Sequence, residues 1–110
     1  MKRITISNEV AHDIKSRILN DLLDENPEAI IKYVDHGTSL KRRMQTIEIN
    51  DAGVRALIVE CRISAGNCQD DYTHEKDLES LSWYNKYSRV LVKLDKAKVK
   101  IQEEDFIYEN

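Results

Sequence analysis

Cys61, Cys68 and His74 are the residues whose types could bind a metal, and their spacing argues against it. Structural zinc sites bring cysteines together with roughly two to four residues between them. Here six residues separate Cys61 from Cys68. His74-Glu75-Lys76-Asp77-Leu78 begins like a zinc-protease helix, but Leu78 stands where the second histidine is needed. Asp70, Asp71, Glu75, Asp77 and Glu79 would have to converge on one point to hold a divalent cation or to work with His74 as acid and base. They lack the alternating oxygen ligands, central glycine and closing glutamate of a calcium loop, and read as a solvated acidic loop. Gly37, Gly53 and Gly66 stand too far apart for a phosphate or dinucleotide loop, and no G-x-S-x-G occurs. The expectation is a non-catalytic chain with no metal and no cofactor.

Charge offers two binding surfaces. From Asn85 to Ile101 there are six bases against Asp95; from Asn8 to Glu28, six acids against Lys15 and Arg17. A net charge of −3 therefore hides a two-sided molecule, and such asymmetry bears on partner choice. The basic candidate is Arg89, Lys93, Lys98 and Lys100, with Trp83, Tyr84 and Tyr87 just upstream. Phosphate contacts with base stacking are the chemistry it would support; the plainer reading is lysine that keeps an edge strand from pairing with another chain. Lys41-Arg42-Arg43 would add to it if the fold brings them near. The acidic candidate is the outer face of the first helix, Asp13, Asp21 and Asp24, set against a basic protein partner.

The elements that must position these residues begin with a strand over Arg3–Ser7, where Ile4 and Ile6 alternate with polar residues. Ser7 or Asn8 then caps a helix over Glu9–Glu25, the surest element, with Val10, Ala11, Ile14, Ile18, Leu19, Leu22 and Leu23 on one stripe. Pro27 and Gly37 punctuate a shorter second helix containing Ile30, Ile31 and Val34, with a strand over Ala29–Val34 as the alternative. Met44–Ile63 reads as a hairpin turning at Asn50-Asp51-Ala52-Gly53, because β-branched residues dominate both arms. Its second arm is apolar on both faces in its first half, so it is expected to be central, with a second copy of the chain as one candidate cover. Ser64–Asp71 reads as loop, Glu75–Leu81 as a helical turn, Leu81–Tyr87 as strand, and Arg89–Glu103 as a final hairpin turning at Asp95-Lys96-Ala97. Val90, Val92, Leu94, Val99 and Ile101 share one of its faces.

The fold expected is α+β in one domain of 110 residues: an antiparallel sheet of about five or six strands, with one long N-terminal helix and a shorter second helix mainly on one face, and an acidic tail at 103–110. Its order of strand, helix, helix and antiparallel strands is similar to that of small ribonuclease toxins of the RelE and ParE type. The similarity is one of layout, covers about the first half, and transfers no catalytic residue. Cys61 is expected to be buried and reduced. Neither a signal-peptide core nor a run of membrane-spanning length is seen, which points to the cytoplasm, a host's if the chain is phage-encoded. The functional expectation is a small binding protein that occupies a partner's surface, such as a phage or mobile-element inhibitor of host defence. A nucleic-acid-binding module comes next, and a small metal-dependent nuclease or hydrolase third.

Overall fold

The computed structural model describes the backbone of residues 1–34 and 44–109 and the side chains of residues 1–34 and 44–97. The chain is α+β, with a three-stranded antiparallel sheet rather than five or six strands. Its elements are β1 (Lys2–Ser7), α1 (Asn8–Asp13), a π-helical segment (Ile14–Ile18), α2 (Leu19–Glu25), β2 (Ile31–Tyr33), β3 (Met44–Ile49), α3 (Asp51–Glu75) and α4 (Leu78–Glu109).

β3 lies between the other two strands, and the register sorts the side chains by face. Ile4 and Tyr33 both pair with Ile47, Ile31 pairs with Ile49, and Ile6 lies two residues along from Ile4 on the same face. The opposite face takes Arg3, Lys32 and Glu48, with Thr5 paired to Thr46 and their hydroxyls 3.1 Å apart. Arg3 meets Glu48 at 2.7 Å. Among the described residues one face is thus apolar and covered by helices while the other is polar.

The predicted N-terminal helix forms as α1, the π segment and α2, which run on without a break in right-handed backbone. A π turn takes up an extra residue. Ile14, Ile18 and Leu22, spaced four apart, are therefore held on one buried line.

The first predicted hairpin is overturned in its second arm and the final one in both arms. Val54–Ile63 belongs to α3, where Val54, Leu57, Ile58, Cys61 and Ala65 are buried at helical spacing while Val59 and Ile63 face out. Residues 89–103 lie within α4, with Tyr87, Val90, Leu94 and Ala97 as its buried line and Val92 exposed. Leu81–Tyr87 is helix too. Ser64–Asp71 continues α3 despite Gly66 and Asn67, because the roughly 1 kcal/mol a glycine costs is outweighed by burial of Leu57, Cys61 and Ala65 on the same helix. α3 ends with Lys76 in the left-handed region, its N–H on the Tyr72 carbonyl, and Asp77 caps α4 through the Glu79 N–H and the Ser80 hydroxyl.

The predicted second helix is replaced by β2, the alternative over Ala29–Val34. Pairing with β3 decides this, extended by the Val34 N–H on the Thr46 carbonyl. Gly37 and Lys41-Arg42-Arg43 lie outside the described residues. The toxin-like layout fails with the hairpins, since the second half of the chain is helical from Asp51 onward. The junction of β3 and α3 is close-packed: a Cβ on Gly53 would meet Ile49 Cγ1 at 2.7 Å and the Ile30 carbonyl oxygen at 2.8 Å. Glycine is required there for approach rather than for turning.

Candidate anion-binding groove

The buried line of α4 fixes where its cations go. Lys86, Arg89, Lys93 and Lys96 recur at steps of three, four and three residues along one flank of the helix, the flank that faces β1. At 1.5 Å of rise per residue, neighbouring cations are roughly 4.5–6 Å apart along the axis. Opposite them lies the start of the chain. A groove of ≈ 960 Å³ runs between Ile6–Glu9 and the Lys86–Lys96 flank, and a second of ≈ 520 Å³ lies between Lys2–Thr5 and Lys93, Lys96 and Ala97. The two share Lys93 and Lys96 and form one furrow. Among the described residues six cationic side chains line it, Lys2, Arg3, Lys86, Arg89, Lys93 and Lys96, against one lining carboxylate, Glu9, and Arg3 is also ion-paired with Glu48.

The furrow is built rather than loose. Lys86 is ion-paired with Glu9 and stands 4.8 Å over the Trp83 ring. Lys93 donates to the Thr5 carbonyl, which ties α4 to the outer edge of β1. Arg89 and Lys96 are exposed and make no ion pair among the described residues.

The predicted basic site is partly reassembled. Arg89 and Lys93 share the furrow wall, as one helical flank rather than across two strands. Lys98 and Lys100 continue on the backbone of α4, with side chains outside the described residues. Lys100 extends the same three-four spacing by a further step of four. Trp83 is half-buried and packs 6.1 Å from the Tyr87 ring. Tyr87 is only 1% exposed, so no base can stack on it. Lys86, Lys96, Lys2 and Arg3 are the additions; the first two are legible as a helical stripe, the last two only once β1 lies beside α4.

The predicted acidic face is divided. Asp21 and Asp24 are exposed on α2, but Asp13 turns toward α4. Its carboxylate accepts from Tyr87 OH and, at 3.0 Å, from Arg17 Nη2. The same Arg17 nitrogen lies 3.1 Å from Tyr87 OH and 3.1 Å from Ser64 Oγ. Arg17 belongs to the π segment, so the insertion that aligns the core also presents this guanidinium to α3 and α4. The cluster latches the first helix onto the α3–α4 pair. Burial pushes the Asp13 carboxyl up, but the hydrogen bonds from Arg17 and Tyr87 outweigh it and hold the carboxyl below its usual 3.8. Burial and Asp13 together push the Tyr87 phenol up.

A carboxyl depressed in the folded state contributes stability that is complete above its unfolded value and is lost as pH falls through the folded one. Thermal unfolding followed from about pH 6 down to about pH 2 should therefore show a steep acid loss below roughly pH 4 that is flatter in Asp13→Asn. Equal slopes would mean that the latch is not formed in solution.

Elsewhere the chemistry-bearing residues stay apart. Cys61 is wholly buried on α3, and burial pushes its thiol up to about 12. Cys68 is half-buried on the same helix and its thiol is raised by burial and then by Asp71. His74, Asp70, Asp71, Glu75, Asp77 and Glu79 are exposed around the α3–α4 turn. Among the described residues no cluster of three or more such groups could hold a metal ion, and no helix is long and apolar enough to cross a membrane. No protein-family model, curated protein or solved structure matches the chain.

Proposed function

We propose that the protein is a non-catalytic binding module whose furrow between β1 and α4 takes the phosphate backbone of a nucleic acid. The observation that carries this is the cationic stripe of α4 facing Lys2 and Arg3 across a groove lined, among the described residues, by a single carboxylate. With Tyr87 buried and the half-buried Trp83 ring engaged by Lys86, the contact is to phosphate rather than to bases. Binding is accordingly tolerant of sequence and strongly weakened by salt. The acid-rich α2 lies outside the furrow and disfavours other orientations of a polyanion.

Arg89 and Lys96 test this without disturbing the fold, since neither is tied to another element. In fluorescence anisotropy with a labelled mixed-sequence duplex of about 20 base pairs, Arg89→Ala/Lys96→Ala should weaken binding. It should also reduce the slope of log affinity against log salt by about 2. An unchanged affinity and slope would sink the reading.

A second reading, a protein that occupies a partner's surface in the manner of an inhibitor, draws on Asp21 and Asp24. Both are exposed and make no ion pair among the described residues. Asp13 is excluded from that surface by its engagement with Arg17 and Tyr87.

A further inference from the structure

α3 carries apolar residues outside its buried line as well as along it, and two of them, Val59 and Ile63, are exposed. Ala52, Ala56, Val59, Ile63 and Gly66 follow one another at steps of four, three, four and three residues, a seam that a straight row of apolar side chains makes along a helix. Val59, Ile63 and Gly66 lie opposite the buried line of Val54, Leu57, Cys61 and Ala65, while Ala52 and Ala56 are half-buried and also touch the core. Val59 is 54% exposed and Ile63 52%. Nothing stands within 4 Å of where a Gly66 Cβ would be. A helix apolar on both sides is ordinarily covered on both.

We propose that this seam is a self-association surface, on which a second copy of the chain lays its own α3 in parallel orientation. Charge selects both the occupant and the direction. Arg55 and Arg62 immediately precede the seam residues Ala56 and Ile63, and Glu60 immediately follows Val59. In a parallel pair, a residue preceding the seam meets the one five positions further along the other helix. Arg55 then faces Glu60 of the partner subunit, and Glu60 faces Arg55 of the partner subunit. An antiparallel pair would instead set arginine against arginine and glutamate against glutamate. Ala52, Ala56 and Gly66 let the two backbones approach closely, while Val59 and Ile63 supply the apolar contact. Arg62 already reaches Asp95 at 3.8 Å, which places α4 beside the seam rather than over it. About four turns of helix bury less than the ~800 Å² per partner of a standard interface, so the dimer is a weak one.

Sedimentation velocity on the full chain from about 10 µM to about 1 mM should show a concentration-dependent shift from 12.8 kDa toward twice that mass. Ile63→Glu should abolish the shift with an unchanged thermal midpoint at low concentration, because Ile63 is already half-exposed in the monomer. Glu60→Arg should weaken association at least about tenfold, and Arg55→Glu/Glu60→Arg should restore it. Mild oxidation of Ala52→Cys should give a disulfide-linked dimer by itself. Monomer at every concentration would overturn the proposal, as would a dimer indifferent to Ile63→Glu. Cross-linking of Ala52→Cys only when mixed with Gly66→Cys would overturn the parallel arrangement.

Discussion

Leu94→Ala is expected to destabilise the protein by about 2–5 kcal/mol, and Val92→Ala by no more than about 0.5 kcal/mol. Leu94 is fully buried in α4 and joins a core that includes Leu57, Val90 and Tyr87, so truncation leaves a cavity that rigid neighbours cannot fill. Val92, two residues away, is 54% exposed at the edge of the furrow. In a strand the two side chains would share a face and cost similar amounts; in a helix they lie about 160° apart by the 3.6-residue repeat. Urea denaturation of both variants measures the difference. Comparable losses would mean that residues 89–97 are not helical in solution.

The second large effect is expected at Asn50, between β3 and α3. Its Oδ1 accepts from the Gly53 N–H at 2.8 Å, capping α3, and from the Ile30 N–H at 2.9 Å; its Nδ2 donates to the Glu28 carbonyl at 2.8 Å. One side chain therefore starts a helix and pins the chain entering β2. A lost cap costs about 0.5–2 kcal/mol and each further hydrogen bond about 1, so Asn50→Ala should destabilise by roughly 2–4 kcal/mol. Asn50→Asp keeps both acceptor bonds and should recover most of the loss. A cost for Asn50→Ala near that of an isolated cap, about 1 kcal/mol, would show that Glu28–Ile30 is held by other means.

Asn50 also shows why the hairpin reading was attractive and why it fails. Asn50-Asp51-Ala52-Gly53 has turn chemistry, but a residue that accepts a backbone N–H three positions on serves a helix N-cap equally well. After it, Leu57 and Cys61 satisfy a two-residue and a 3.6-residue period alike, as Val90 and Leu94 do in α4. Periodicity over so short an apolar run does not discriminate between them. Valine and isoleucine tip the choice toward strand by less than about 1 kcal/mol each, whereas packing of α3 against α4 buries Leu57, Cys61, Val90 and Leu94 together. Tertiary burial overrode local preference.

By itself the sequence determined what rests on long, one-sided patterns: the first strand, the N-terminal helix with its buried stripe, a strand at Met44–Ile49, a buried Cys61, and the separation of acidic from basic stretches. Only the tertiary structure decided the rest. β2 exists because β3 pairs with it, Asp13 left the acidic surface because Tyr87 and Arg17 converge on it, and Lys2 and Arg3 joined the α4 cations because β1 lies along that helix. The physical reason is common to all three: each depends on contacts between residues far apart in the chain, whose energies exceed the small local preferences that a sequence displays.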